Sequence, residues 1–268
     1  MKFFLGTHMT NWLADRRFKN VPLFVSRRRL AKVRSLPRAV GSWALDSGGF
    51  TELQMFGRWN VTPRDYAREV RRLKSEIGNM TWAAPQDWMC EPIVINGGKS
   101  TGGQFKGTGL TVAEHQRKTV DNFIELRSIA PDLPFIPVLQ GWTLHDYVRC
   151  EDLYSKSGID LSKEPIVGIG TMCRRQSTRE AHIILTVMSS LGIPLHGFGY
   201  KLQGLEKSSY LLKSADSLAW SYAARLDSPL CGHTKPGPGR PLGHKNCANC
   251  ADYALRWQLR VLKIMEDT

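Results

Sequence analysis

The chain has 268 residues and a formal net charge of +13 at pH 7. A single α/β barrel commonly has about this length. Hydrophobic residues make up 42% of the sequence, which is ordinary for a globular protein and excludes an intrinsically disordered one. The apolar opening at residues 3–6 ends too soon for the h-region of a signal peptide, and no stretch is long and apolar enough to span a bilayer. We therefore expect a cytoplasmic protein without a membrane partner.

The positive charge is concentrated between residues 16 and 38, where nine lysines and arginines have only Asp15 as an acidic neighbour. This density favours a polyanion such as a nucleic acid as partner over a merely solvated surface. A membrane surface is less favoured because the segment has no clear amphipathic apolar face. The sequence identifies no partner protein.

Short apolar or β-branched segments alternate with helical patterns along the chain. The predicted strands are residues 3–6, 43–46, 81–85, 135–140, 166–169, 195–198 and 215–218, with an eighth near 226–230. Helices between them begin at capping motifs, as at Thr62 and Thr111, and end at glycines such as Gly78. The alternation predicts an α/β protein with a (β/α)8 TIM barrel. An open doubly wound sheet is the alternative, but no glycine-rich dinucleotide loop follows any strand.

The glycine-rich stretch at residues 96–109 follows the strand predicted at 81–85. A loop of this length is either a mobile active-site loop or a variable connection, and the sequence does not decide between them.

Polar residues cluster where the predicted strands end. They are Asp46, Ser47, Gly48, Phe50, Asp87, Gln140, Gly141, Gly170, His196 and Asp216. The carboxyl ends of parallel strands share one face of a barrel, and that face carries the active site. Helix capping or turn formation explains any one of these positions, but not three carboxylates and an amide converging on one face.

Three carboxylates around one pocket suit the cleavage of a glycosidic bond. Its transition state resembles an oxocarbenium ion, which a carboxylate stabilises and then traps covalently, while a second carboxyl group transfers a proton. A third carboxylate, beside a glutamine, can read the polar edge of guanine. Phe50 and His196 offer stacking faces for a flat base.

The ordered set Asp46-Ser-Gly-Gly-Phe50, Asp87, Gln140-Gly141, Gly170 and Asp216 resembles the tRNA-guanine transglycosylase family over nearly the whole chain. The resemblance implies that Asp46 is the general acid/base and that Asp216 is the nucleophile at C1′. It implies that Asp87, Gln140 and Gly170 bind the base and that Phe50 and His196 sandwich it. Ser47, Gly48 and Gly141 belong to the same substrate-binding motifs.

The chain is shorter than most family members that act on tRNA. Its compact form resembles the DpdA-type branch of bacteria and phages, which inserts 7-deazaguanine derivatives into DNA. The resemblance therefore implies DNA as substrate, a base such as preQ0 as co-substrate and the cytoplasm as location, the host's for a phage protein. Three alternatives stay open: tRNA as substrate, a DNA glycosylase that hydrolyses the same bond, and a non-catalytic nucleic-acid-binding module.

Four residues near the C-terminus have the spacing of a zinc site. Cys231-x-His233 and Cys247-x2-Cys250 together provide a tetrahedral Cys3His set without an open position, so we expect structural Zn2+. His244 is a competing ligand, and a loop with incidental cysteines is the alternative. Residues 231–250 are then a zinc-binding subdomain inserted before the last helix of a single domain, residues 1–268.

Two adjacent arginines follow the strand predicted at 166–169. Arg174 and Arg175 are expected to contact phosphate beside the site, although ordinary surface arginines are common.

Overall fold

The computed structural model describes residues 1–100, 102–236, 243 and 245–266. Its strands are β1 (Lys2–Thr7), β2 (Leu23–Ser26), β3 (Trp43–Asp46), β4 (Met80–Ala83), β5 (Gly98–Ser100), β6 (Gly103–Phe105), β7 (Val138–Leu139), β8 (Val167–Ile169), β9 (Leu195–Gly197) and β10 (Ser214–Ser217).

The α-helices lie mostly between the strands. They are α1 (Arg27–Leu30), α2 (Gly49–Phe56), α3 (Pro63–Ile77), α4 (Pro92–Asn96), α5 (Val112–Ile129), α6 (Leu144–Lys156), α7 (Arg179–Ser190), α8 (Leu202–Ser208), α9 (Ala219–Leu226) and α10 (Ala251–Glu266). As predicted, Thr62 and Thr111 cap α3 and α5, where each side chain accepts a hydrogen bond from the N–H three residues later.

Eight parallel strands form one sheet in the order β4-β3-β2-β1-β10-β9-β8-β7, and β5 and β6 form a separate antiparallel hairpin. The α/β class and the parallel sheet predicted from the sequence are therefore confirmed. The edge strand β4 also forms a parallel bridge, Ala83 with Phe135, to the segment just before β7. At this bridge the Ala83 N–H donates to the Pro134 carbonyl (2.9 Å) and the Ile136 N–H donates to the Ala83 carbonyl (3.2 Å).

Buried side chains on the concave face show that the sheet is curled. One apolar cluster joins Phe4 of β1 and Phe24 of β2 to Trp82 of the edge strand β4 and to Ile136 and Ile166, which precede β7 and β8. Side chains from opposite edges of a flat sheet would lie too far apart to share a cluster. The larger core lies between the convex face and the surrounding helices.

The eighth strand was predicted in the wrong place. Residues 226–230 contain the end of α9 and an irregular segment, whereas the missing strand is β2. β2 pairs with β1 on one side and with β3 on the other. Its short Leu-Phe-Val core lies inside the basic segment 16–38. The charged residues on both sides make the apolar pattern of a strand difficult to recognise.

The basic segment is not one exposed arm. Arg27 is buried between the carboxylates of Glu52 (3.1 Å) and Glu69 (3.0 Å), and Arg28 also pairs with Glu52 (2.7 Å). Seven of the nine basic side chains are exposed: Arg16, Arg17, Lys19, Arg29, Lys32, Arg34 and Arg38. Among the described residues, no helix has the length and apolar character needed to cross a bilayer.

Candidate active site

A cavity of about 260 Å³ lies at the carboxyl ends of the parallel strands. Seven of the residues singled out in the sequence line it: Asp46, Ser47, Phe50, Asp87, Gln140, Gly170 and Asp216. The parallel sheet brings them together because each follows or ends a strand whose carboxyl end lies at the same rim.

Asp46 is the last residue of β3 and faces the cavity. The Gly48 N–H donates to its Oδ1 (3.1 Å), and Ser26 at the end of β2 also hydrogen-bonds it. Gly48 has a φ of 75°, a left-handed conformation that glycine adopts without strain, and it stands immediately before α2. Burial raises the pKa of Asp46, and the nearby negative charge of Asp216 raises it further. Asp46 therefore holds a proton more readily than an exposed aspartate does.

Asp216 lies on β10 and is 6% exposed. Its Oδ1 accepts a hydrogen bond from the Gly199 N–H (3.0 Å) and lies 3.3 Å from His196 Nε2. The other ring nitrogen of His196, Nδ1, lies 2.8 Å from the Ser214 hydroxyl. These contacts fix the orientation of the Asp216 carboxylate toward the cavity.

Asp87 and Gln140 form a hydrogen-bonded pair in the cavity wall. Gln140 Nε2 donates to Asp87 Oδ2 (2.7 Å), and the Ser47 hydroxyl lies 3.4 Å from Asp87 Oδ1. Burial raises the pKa of Asp87 to about 7, and the negative charge of Asp46 contributes, while the Gln140 bond opposes the rise. The pair therefore presents one carboxyl group and one carboxamide to a ligand.

Because Gly170 has no side chain, the side chain of Gln140 can occupy the space beside it. A Cβ at Gly170 would lie 2.2 Å from Gln140 Nε2, so any side chain there would displace the amide. The next residue, Thr171, has a φ of 57°, an uncommon conformation for a β-branched residue. Its hydroxyl donates to Gln140 Oε1 (2.6 Å), which fixes which end of the amide faces Asp87.

The structure gives two other predicted residues a different environment. His196 is fully buried beneath Asp216 and is not among the residues that line the cavity, so its ring offers no open stacking face. Gly141 packs against α6, because a Cβ there would lie 2.8 Å from the Cβ of Asp146. Phe198, which the sequence analysis missed, lines the cavity instead.

The two arginines differ from each other. The Arg174 guanidinium lies 5.1 Å from the centre of the Phe50 ring, at the rim of the cavity. Arg175 is 7% exposed, hydrogen-bonds the Trp142 carbonyl and pairs with Glu180 (2.8 Å). Phosphate contact therefore remains a prediction for Arg174, whereas Arg175 already has protein partners.

The glycine-rich stretch 96–109 contains the β5–β6 hairpin, which supports one wall of the cavity. Phe105 of β6 packs edge-on against Phe50 at 5.5 Å, and the Gln54 side chain of α2 donates to the Gly102 carbonyl (2.8 Å). The described residues of this segment therefore form part of the site.

Sequence reasoning missed several residues that line the cavity, namely Met89, Glu91, Thr171, Cys173 and Phe198. Thr171 and Phe198 adjoin residues that were identified, so the strand-end rule reaches them when it is extended by a residue or two. Glu91 follows Asp87 by four residues in an irregular segment, and no local pattern in the sequence places it in the cavity.

Three of the four predicted metal ligands converge near the C-terminus. One ligand atom from each of His233, Cys247 and Cys250 lies within 4.8 Å of the others, and all three residues are buried. His233 Nδ1 faces the sulfurs of Cys247 (3.7 Å) and Cys250 (3.5 Å), while its Nε2 lies 3.5 Å from Asp252. A histidine with one nitrogen toward soft donors and the other toward a carboxylate is typical of metal sites.

The fourth predicted ligand, Cys231, is exposed and lies outside this cluster of described residues. Gly232, which stands between Cys231 and His233, has a φ of 76°. The competing ligand His244 lies outside the described residues.

The fold and the cavity define a parallel α/β protein with a carboxylate-rich site at the carboxyl ends of its strands. A comparison with protein-family models matched residues 1–268, the whole chain, to DpdA, described as DeoxyPurine in DNA protein A. The chain belongs to the DpdA family, whose role is in the modification of DNA with 7-deazaguanine. A search of curated proteins found no match.

Proposed function

We propose that this protein is a transglycosylase, a pentosyltransferase that exchanges guanine in DNA for a 7-deazaguanine base such as preQ0. The observation that carries the proposal is the shared cavity of Asp46 and Asp216 with the Asp87–Gln140 pair. We further propose that residues 1–268 form one domain, a closed (β/α)8 barrel, in which the Ala83–Phe135 bridge completes the sheet.

The first half-reaction breaks the bond between C1′ and the N9 atom of guanine. The target nucleotide must leave the base stack to enter a cavity of this kind. An Asp216 oxygen attacks C1′, a proton from Asp46 neutralises the departing guanine, and a covalent glycosyl ester remains on Asp216. The raised pKa of Asp46 supports this role because the group must hold a proton before the bond breaks.

The second half-reaction reverses these roles. Asp46, now ionised, takes a proton from the incoming base, whose N9 attacks C1′ and breaks the ester with Asp216. Two inversions at C1′ give net retention, and the exchange needs no ATP.

The Asp87–Gln140 pair explains selectivity for a guanine-type base. An ionised Asp87 accepts hydrogen bonds from the N1–H and the exocyclic amine, while Gln140 and the backbone at Gly170 face the oxygen on the same ring. Phe50 and Phe198 line the cavity and offer faces for the flat base. His196 then serves to position Asp216.

DNA fits the distribution of charge around the site. The exposed Arg29, Lys32 and Arg34 lie in and after α1, which follows the carboxyl end of β2 and therefore begins at the rim that carries the cavity. Arg174 adds a positive charge beside Phe50. Basic side chains in such positions bind the phosphates that flank a flipped nucleotide. Transfer RNA is the alternative substrate of the same chemistry.

We assign structural Zn2+ to the C-terminal cluster. His233, Cys247 and Cys250 supply the soft donors that zinc prefers, and Asp252 orients the histidine. A zinc ion there would tie residues 231–250 to the start of α10, a role separate from the chemistry in the cavity.

The nucleophile is tested with Asp216→Asn, because a carboxamide cannot form the glycosyl ester. We expect incorporation of labelled guanine or preQ0 into DNA to fall at least about a thousandfold. Asp121→Asn on the exposed face of α5 is the matched control and should retain activity. Undiminished incorporation by Asp216→Asn would remove Asp216 from this role, and free abasic product without added base would indicate a glycosylase.

A further inference from the structure

Four polar side chains form a continuous chain along one wall of the cavity. Gln140 Nε2 lies 2.7 Å from Asp87 Oδ2, and Gln140 Oε1 lies 2.6 Å from the Thr171 hydroxyl. The Thr171 hydroxyl in turn lies 3.4 Å from Glu91 Oε2. Asp87, Gln140, Thr171 and Glu91 all line the same cavity. The order along the wall is therefore carboxyl, amide, hydroxyl, carboxyl.

Glu91, like Asp87, is a buried carboxyl group with which no residue of the described part of the chain forms a salt bridge. It is 5% exposed. The hydroxyl of Thr171 has one hydrogen, and its short contact with Gln140 takes that hydrogen, so the 3.4 Å contact with Glu91 is weak. Glu91 also accepts a hydrogen bond from its own backbone N–H. Within the described residues no salt bridge reaches Glu91, since Arg175 pairs with Glu180 and Arg174 lies over Phe50. Burial raises the pKa of Glu91, and this rise is only partly opposed by the hydrogen bond from its own backbone N–H, by the Thr171 hydroxyl and by the charges of Arg174 and Arg175.

The polar edge of a guanine-type base has its groups in a matching order. The N1–H and exocyclic amine come first, the oxygen on C6 second, and position 7 third. If Asp87 takes the first and Gln140 the second, as the proposed function requires, the wall continues through Thr171 to Glu91 beside position 7. A substituent at position 7 would therefore contact the buried carboxyl group of Glu91.

We propose that Glu91 determines which base enters, by binding a positively charged, hydrogen-bond-donating substituent at position 7 of a 7-deazaguanine, such as an aminomethyl or amidine group. The substituent supplies a cation in direct contact with Glu91, which no salt bridge among the described residues provides. Guanine has an acceptor nitrogen at position 7, which an ionised Glu91 repels. This difference in binding favours replacement of guanine by the 7-deazaguanine over the return of guanine to the DNA. The nitrile of preQ0 is also an acceptor and fits the ionised carboxylate less well than an amine.

The test compares three bases on wild-type protein and on Glu91→Gln. The bases are labelled guanine, 7-cyano-7-deazaguanine and 7-aminomethyl-7-deazaguanine, and both binding of the free base and exchange into DNA are measured. We expect the wild type to bind the aminomethyl base at least about tenfold more tightly than the cyano base, because a charged hydrogen bond is worth this much. Glu91→Gln should lose this preference and should bind guanine at least as tightly as the wild type does, because its uncharged amide no longer repels the acceptor nitrogen at position 7. The preference should also fall as pH is lowered and Glu91 gains a proton.

Matched variants separate recognition from folding. Glu76→Gln, on the exposed part of α3, should keep the wild-type preference, and Glu91→Asp should restore part of it. Equal binding of the two deaza bases by the wild type would overturn the inference, as would equal losses for all three bases in Glu91→Gln. If the wild type exchanges no base at all, including guanine, the proposed function itself fails, which is a different result.

Discussion

Asp87 is a buried acid whose ionisation opposes folding. Burial raises its pKa from the ordinary 3.8 to about 7, so the folded protein binds its proton more tightly than the unfolded chain does. Its contribution to stability is fully present below about pH 4 and is lost as the pH rises through about 7. The shift corresponds to at most about 4 kcal/mol.

Asp87→Asn removes this pH dependence. At pH 8 the variant should denature at a higher temperature than the wild type, and the advantage should shrink as the pH is lowered toward 5. Gln140 can accommodate the change by turning its amide, since Thr171 can accept as well as donate. Asp121→Asn serves as the exposed control. A constant difference between wild type and Asp87→Asn at both pH values would contradict the assignment of the buried carboxyl group.

At the scale of single residues, the sequence identifies the residues of the site more reliably than it identifies the role of each one. Asp46, Asp87 and Asp216 were predicted from their positions at strand ends, and all three line the cavity. The burial of His196 and the pairing of Arg175 depend on packing between distant segments, which no local pattern reveals. Glu91 was missed because an irregular segment carries it.

At the scale of the elements, the close approach of β8 to β7 determines whether the Gln140 amide can contact Asp87 and a bound base. Gly170→Ala places a methyl group 2.2 Å from Gln140 Nε2 and should displace the amide from Asp87. We expect binding of free guanine to weaken about tenfold or more, because a buried polar group is left unpaired. Isothermal titration calorimetry measures this directly.

Gly102→Ala is the control for this substitution. Its added methyl group would meet the flexible end of Arg174 at 3.2 Å, and it would lie at ordinary van der Waals distance from Ser100 Oγ (3.8 Å) and the Phe105 ring (4.0 Å). Unchanged guanine binding by Gly170→Ala, with its fold intact, would show that the Gln140 amide does not contact the base.

The elements also show where pattern reading succeeds and fails. Capped amphipathic helices such as α3 and α5 were predicted because the signals for their starts and faces are local. Strand β2 was missed because its Leu-Phe-Val core is only a few residues long and stands between basic clusters. Its place in the sheet is determined by pairing with β1 and β3, which lie elsewhere in the sequence.

In the whole molecule, the C-terminal cluster ties the segment after α9 to α10, which packs against α8 and α9. Cys247→Ser should lower the zinc content measured by elemental mass spectrometry and lower the denaturation temperature, because metal binding contributes to folding. Cys231→Ser should change both much less, since Cys231 is exposed and outside the cluster. Equal zinc loss in both variants would show that Cys231 is a ligand.

For the whole molecule, the central proposal is that the cavity exchanges a base in DNA. The most direct test is mass spectrometry of nucleosides from DNA and from tRNA of cells that produce the wild type or Asp216→Asn, in the presence of 7-deazaguanine bases. We predict a new 7-deazaguanine deoxynucleoside with the wild type, none with Asp216→Asn, and unchanged ribonucleosides. A modified ribonucleoside without any modified deoxynucleoside would contradict the claim.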